Sequence, residues 1–134
     1  MATPEKFAQR IRRMADQVEV QAGRIVAQTA QIISQTVILA TPVDTGRARA
    51  NWQIGIGSPV IVETPERDQA GATTIARNAS KLAIGSRART IFLSNNVDYI
   101  GDLNAGSSSQ APANFVEIAV QQGLLFLKRQ RIIR

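Results

Sequence analysis

The residues best equipped for chemistry in this chain are Asp44, Thr45 and Gly46, inside the stretch TPVDTGRARANW (41–52). An Asp-Thr-Gly triplet carries the catalytic carboxylate of pepsin-like proteases, where two carboxylates on tight loops after apolar strands share one proton. A chain with one triplet would assemble that pair only as a dimer, and 134 residues suit such a dimer. The apolar pair before glycine in AIG (83–85) even mimics the second element of that fold. The surroundings of Asp44 argue against it. Pro42 precedes it, the upstream segment has helical periodicity, and Arg47 follows the glycine. A cation there favours the charged carboxylate, whereas one aspartate of the dyad must hold a proton. The same residues make physical sense as a corner. Asp44 and Thr45 side chains can accept from backbone N–H groups two residues on, and Gly46 can take positive φ. Pro42, Asp44, Thr45 and Gly46 are therefore expected to turn the chain from helix into strand.

Other chemistry is thinly supported. Histidine and cysteine are absent, which removes the usual general base, the thiolate nucleophile and the commonest metal ligands. The ten acidic residues are scattered without calcium-loop spacing. Gly55-Ile56-Gly57 begins like a phosphate-binding fingerprint, but the third glycine is missing and Ser58-Pro59 follows where a helix is needed. Asp98 and Asp102 can share a helical face, with no partner base. No lysine is paired by spacing with a particular serine. No catalytic residue, cofactor or metal is expected.

Charge is more informative. Lysine and arginine number 16 against 10 acidic residues, giving +6 and a pI near 11.1. The excess is densest in RIRR (10–13) and KRQRIIR (128–134). Lys6, Arg10 and Arg13 form a stripe at i, i+4 and i+7. With Lys128, Arg129 and Arg131 they are candidate contacts to phosphate or to an acidic neighbour; a solvated face is the plain alternative. With six aromatic residues, mostly within apolar patterns, no single-strand stacking platform is expected. The first residues carry no apolar signal core, and the long uncharged run Ile25–Val43 contains Gln28, Gln31, Ser34 and Gln35. Neither secretion nor a membrane span is expected.

The elements that position these residues follow from period and punctuation. Thr3-Pro4-Glu5 is a helix start. Apolar or small residues recur at Phe7, Ile11, Met14, Val18, Ala22, Ile25, Thr29, Ile32 and Thr36, so one stripe runs along a helix from about 4 to 39. At ~1.5 Å per residue this helix would be roughly 50 Å long, more than a domain of this size needs, so part of it is expected to project onto another subunit. Ala48, Ala50, Trp52, Ile54 and Ile56 alternate with polar residues and glycine, predicting a half-buried strand over 48–57. VIVE (60–63) continues it or begins another strand, and TPERDQAGATT (64–74) is a surface loop. A helix over 75–85 has Ile75, Ala79, Leu82 and Ala83 as its apolar side. A strand over 90–95 follows, then helical turns in 99–106 stopped by Gly106. A final helix over about 112–129, with Pro112 in its first turn, buries Phe115, Val116, Ala119, Val120, Gly123, Leu124 and Leu127. Ile118 and Leu125 lie off that stripe. They are expected, with Ile25 and Ile32 of the first helix, to form a subunit interface; a helix buried on both faces inside one subunit is the plain alternative. The expected fold is one α+β domain over 1–134: a long N-terminal helix, a small mainly antiparallel sheet with loops over about 48–95, and a C-terminal helix packed on the sheet.

TPVDTGRARANW (41–52) resembles the signature that follows the first helix in tail-completion proteins of long-tailed bacteriophages and prophages. TIFLSNNVDYIGDLNAGSSSQAPANFVEIAV (90–120) is similar to their strand, Asn-rich turn, Tyr-containing short helix, Leu-Asn-x-Gly-x-Ser-x-Gln-Ala-Pro loop and final helix. The two blocks occur in the same order and separation; residues 58–89 are not diagnostic. Asn114 departs from the pattern, standing where glycine is common. The resemblance implies a virion structural protein of the neck with no enzymatic activity, assembled in the host cytoplasm. It implies copies closed into a ring, commonly of six, between the head connector or adaptor and the tail tube or tail terminator. DNA would pass through that ring without specific binding. A small basic DNA-binding protein of phage origin is the alternative.

Overall fold

A computed structural model describes residues 3–84 and 90–130. Its fold is α+β. Helix α1 (Pro4–Ala40) is one unbroken element of 37 residues. The Thr3 hydroxyl accepts from the Lys6 N–H, Pro4 occupies the first turn, and Glu5 sits at the positive end of the dipole. The helix stops where Pro42 denies Thr41 helical geometry, and Thr41 is extended at φ −67°, ψ 127°.

The strand expected over 48–57 is shorter. Arg47–Ala50 forms a helical turn, α2, and only Gln53–Ile56 is strand β1. Alanine and arginine favour helix, and Gly46 in the left-handed region lets its carbonyl accept from Ala50 N–H. Ala48, Ala50, Trp52 and Ile54 are buried as the alternation implied, but Ile56 is exposed. β1 pairs antiparallel with β2 (Ile91–Ser94), Gln53 opposite Ser94 and Ile56 opposite Ile91.

VIVE forms no strand. Residues 60–64 run as a strap whose main chain is held by side chains. The Val60 carbonyl accepts from Ser94 Oγ and Asn96 Nδ2, the Val62 carbonyl from Gln53 Nε2. Asn51 brackets Thr64, accepting from its N–H and donating to its carbonyl. Pro59 and Pro65 flank the strap, and proline withholds the donor a ladder needs.

Helix α3 (Ala72–Ile84) starts three residues earlier than expected. Leu82 is buried, Ile75 and Ala79 are half-buried, and Ala83 is exposed. The row facing inward also contains Thr74 and Asn78, each 1 % exposed. Asn78 donates to Ser34 Oγ and to the Trp52 carbonyl, both at 3.0 Å, and so ties α3 to α1 and to the start of β1. Gly85, which closes AIG, lies outside the described residues.

After α4 (Ile100–Asn104), Gly106 at φ 98° ends the helical run. The last helix, α5 (Phe115–Lys128), begins beyond Pro112, from Asn114 at φ 65°, ψ 30°. Asparagine is among the few residues that tolerate this region, so Asn114 reproduces what a glycine there supplies. α5 packs along α1, not on the sheet. Phe115 and Ala119 share a cluster with Val37, Ile38, Trp52 and Ala111, while Gly123 lies farther back against Ile33 and Thr29, so the two helices run antiparallel. A methyl added to Gly123 would stand 2.6 Å from Ile33 Cδ1. Absence of a side chain is what lets the helices approach.

Candidate assembly surfaces

The Asp-Thr-Gly segment is a joint. Thr45 Oγ1 accepts from Arg47 N–H, two residues on, as expected. Asp44 contributes its main-chain carbonyl, which accepts from Gln69 Nε2; the side chain is exposed. Gly46 is required twice. Its φ is +87°, and an added Cβ would lie 2.6 Å from the backbone nitrogens of Asp68 and Gln69. Gln110, in the loop before α5, brackets Val43 by accepting from its N–H at 2.8 Å and donating to its carbonyl at 2.9 Å. The two sequence blocks singled out above therefore meet: one grips the main chain of the other. Trp52 completes the joint, its indole N–H donating to Thr41 Oγ1 at 2.8 Å inside the core.

Basic residues fall into two groups. Those around the joint bind the chain itself. Arg49 donates to the Leu39, Thr41 and Gln69 carbonyls, so it supplies a cation at the C-terminal end of α1 from outside that helix. Arg77 donates to the Ala50 and Trp52 carbonyls and pairs with Glu66, and Lys81 donates to the Ile54 carbonyl. Arg47 bonds both Glu63 oxygens at 2.9 Å and lies 5.3 Å from the Tyr99 ring centroid. The bond to Glu63 raises its pKa further, against the opposing effect of desolvation. The second group, Lys6, Arg10, Arg13, Lys128 and Arg129, is exposed. Arg131 lies outside the described residues. Residues 25–127 hold seven basic and seven acidic side chains, so the whole +6 comes from 1–24 and 128–134.

Asp68 caps α3. Its carboxylate accepts from the Gly71 and Thr74 N–H groups and from the Thr74 hydroxyl, the last two at 2.7 Å. Partial burial pushes this carboxyl up, but the bonds from Thr74 and Gly71, with Arg49 nearby, outweigh it and leave the pKa below the usual carboxylate value.

Uncovered apolar surface is concentrated on the helices. The first buried residue of α1 is Gly23. Before it, Phe7, Ile11 and Met14 are 57 %, 49 % and 53 % exposed. This N-terminal arm carries a shallow apolar depression lined by Ile11, Met14, Ala15, Val18 and Glu19. On α5 only Phe115, Ala119 and Gly123 are buried. Val120, Leu124 and Leu127, expected in the core, are exposed on one flank. Ile118 and Leu125 are exposed on the other, 43 % and 48 %, and line an open groove with Ile32, Thr36, Gln122, Phe126 and Arg129. Of the four residues expected at a subunit contact, the groove thus joins Ile32, Ile118 and Leu125. Ile25 is covered within the chain. Ile61 and Val62 of the strap are exposed too.

Sequence reasoning missed Asp68, Arg49 and Gln110. Asp68 had a signal, an acidic residue shortly before Ala72-Thr73-Thr74, concealed by the polar composition of the loop. Arg49 and Gln110 act on carbonyls and N–H groups distant in sequence, which no local pattern reports.

Among the described residues no helix is long and apolar enough to cross a membrane. Residues 5–117 match the family model described as "Bacteriophage HK97-gp10, putative tail-component". No curated protein and no solved structure matches the chain.

Proposed function

Because this chain belongs to the HK97-gp10-like family of bacteriophage tail components, we propose that it is a non-catalytic structural protein of the virion neck. Its copies form a ring, six being the expected number, that joins the head connector to the tail tube or terminator. The observation supporting this reading is the groove of Ile32, Ile118 and Leu125. An apolar surface of this kind beside a well-packed core is characteristic of a contact between subunits. Contacts between unlike patches generate a ring when the rotation per subunit closes the circle. The exposed basic group at one end faces either acidic protein or the passing DNA backbone. Leu125→Asp places a charge in the groove at a position that is half exposed, so the subunit is expected to stay folded. Light scattering should then report smaller species than the parent chain gives. Unaltered rings would reject this groove, and absence of the protein from purified particles would reject the neck assignment.

A second reading, a small basic DNA-binding protein, is favoured by the confinement of the net charge to the two terminal segments. A salt series separates the two. Affinity carried by phosphate contacts falls steeply between low and moderate salt, whereas a neck subunit binds free DNA weakly throughout.

A further inference from the structure

The stripe of α1 is continuous, yet it is covered along only half its length. Its C-terminal half packs on α5 of the same chain; in the other half Phe7, Ile11 and Met14 are exposed and Val18 is half-buried. The groove at the α1/α5 seam has the complementary deficiency: two helices form its walls and, among the described residues, no third helix fills it. Resting on the ring reading above, we infer that the arm of one copy fills the seam groove of the next.

Four observations carry this. First, the chain cannot serve itself. Val18 and Ile32 lie fourteen residues apart on one unbroken helix, about 21 Å at 1.5 Å per residue, so self-seating would require breaking α1. Second, the lengths agree. Phe7 and Val18, like Ile118 and Arg129, lie eleven positions apart, about 17 Å at helical rise. Third, the arm presents its apolar residues at spacings of four, three and four, the pattern by which a helix settles into a groove between two others. Fourth, charge selects the direction. Arg129 is the one charged residue lining the groove among the described residues, and Lys6 and Arg10 stand exposed at the Phe7 end of the arm. With the arm parallel to the neighbour's α5, these like charges stay at opposite ends of the contact, Phe7 meets Ile118 and Met14 meets Leu125. Arm and groove are different patches, so the contact propagates head to tail and does not close at two copies.

The absence of cysteine makes a clean test possible. In the full chain, Met14→Cys with Leu125→Cys, treated with a short bismaleimide linker, should give a ladder of covalent species extending past the dimer. The yield should exceed that of either single variant on the order of tenfold, because seated partners face each other at high effective concentration. A linked monomer, a product stopping at the dimer, or a yield no greater than the single variants would each overturn the arm contact. A second measurement guards against a local fault of the cysteine pair. Phe7→Ser with Ile11→Ser changes only exposed arm positions, and should abolish the assembled species in light scattering while Trp52 fluorescence reports an unchanged melting temperature. Assembly that survives these substitutions defeats the inference. Rings that persist without cross-links remove the arm contact and leave the ring; a parent chain that stays solitary at high concentration removes both.

Discussion

The two halves of α1 share one backbone, one helical stripe and one start signal, and differ in what surrounds them. No residue of 4–22 is buried, and Phe7, Ile11 and Met14 are exposed, whereas residues 23–40 pack on α5 and α3. Isolated helices of this length are marginal in water, and most helical stability in proteins comes from packing an apolar face. The covered half is thus fixed by the fold, whereas the arm has no such packing among the described residues. A long helix does not by itself imply a rigid one.

Two phenylalanines give the largest test of that contrast. Phe115, 2 % exposed, faces Val37 and Ile38 in the covered half. Phe115→Ala should cost roughly 3–5 kcal/mol, the range for truncating a buried aromatic, and lower the melting temperature by more than 10 °C at the few degrees per kcal/mol typical of this size. Phe7→Ala, in the arm, should leave the melting of the subunit unchanged within about 0.5 kcal/mol. Equal effects would abolish the distinction between the halves.

The corner ending the covered half is next in magnitude. Gly46→Ala meets both a left-handed φ and main-chain atoms that cannot move aside, and is expected to destabilise by about 3 kcal/mol in urea titrations. Hydrogen exchange sharpens the comparison directly. Amides of residues 25–40 should approach the protection of global unfolding, while those of 7–20 exchange from local opening in the isolated subunit and slow on assembly. Uniform protection in the isolated subunit would show the arm to be as firmly held as the rest.

The smallest effect concerns Asp68. A carboxyl held below its usual pKa in the folded chain contributes fully above the usual value, and loses that contribution as pH falls through the lowered one. Asp68→Asn should cost about 1 kcal/mol at neutral pH, a typical cap loss, and flatten the acid limb of the melting curve. An unchanged acid limb would mean that Asp68 does not contribute to acid sensitivity.

How much of this was legible in advance differs by element. α1 was, because nine stripe positions and a strong cap leave little ambiguity, and the corner was, because Gly46 is followed by a return of the chain. The strand after the corner was half legible. Alternation at Ala48 and Ala50 signals burial, and small residues alternate in burial within a helical turn as well as in a strand. The partner of α5 was not legible. Its stripe states which face is buried but not against what, and the deciding residue, Gly123, is distinguished by having no side chain. The exposed flank of α5 was legible as off-stripe residues Ile118 and Leu125, but the groove they line was not, since a groove needs the seam with α1. Ile25 shows the converse, a stripe residue that packing inside the chain has already covered.

The strap at 60–64 has a consequence for how this protein can diverge. Its carbonyls are gripped by Asn51, Gln53, Ser94 and Asn96, and apart from the pairing of Glu63 with Arg47 the anchoring ignores which side chains the strap itself displays. Ile61 and Val62 are therefore free to be rewritten without disturbing the interior. A lineage meeting a new neighbour in the particle can retune that outward edge while the helices and the joint stay as they are.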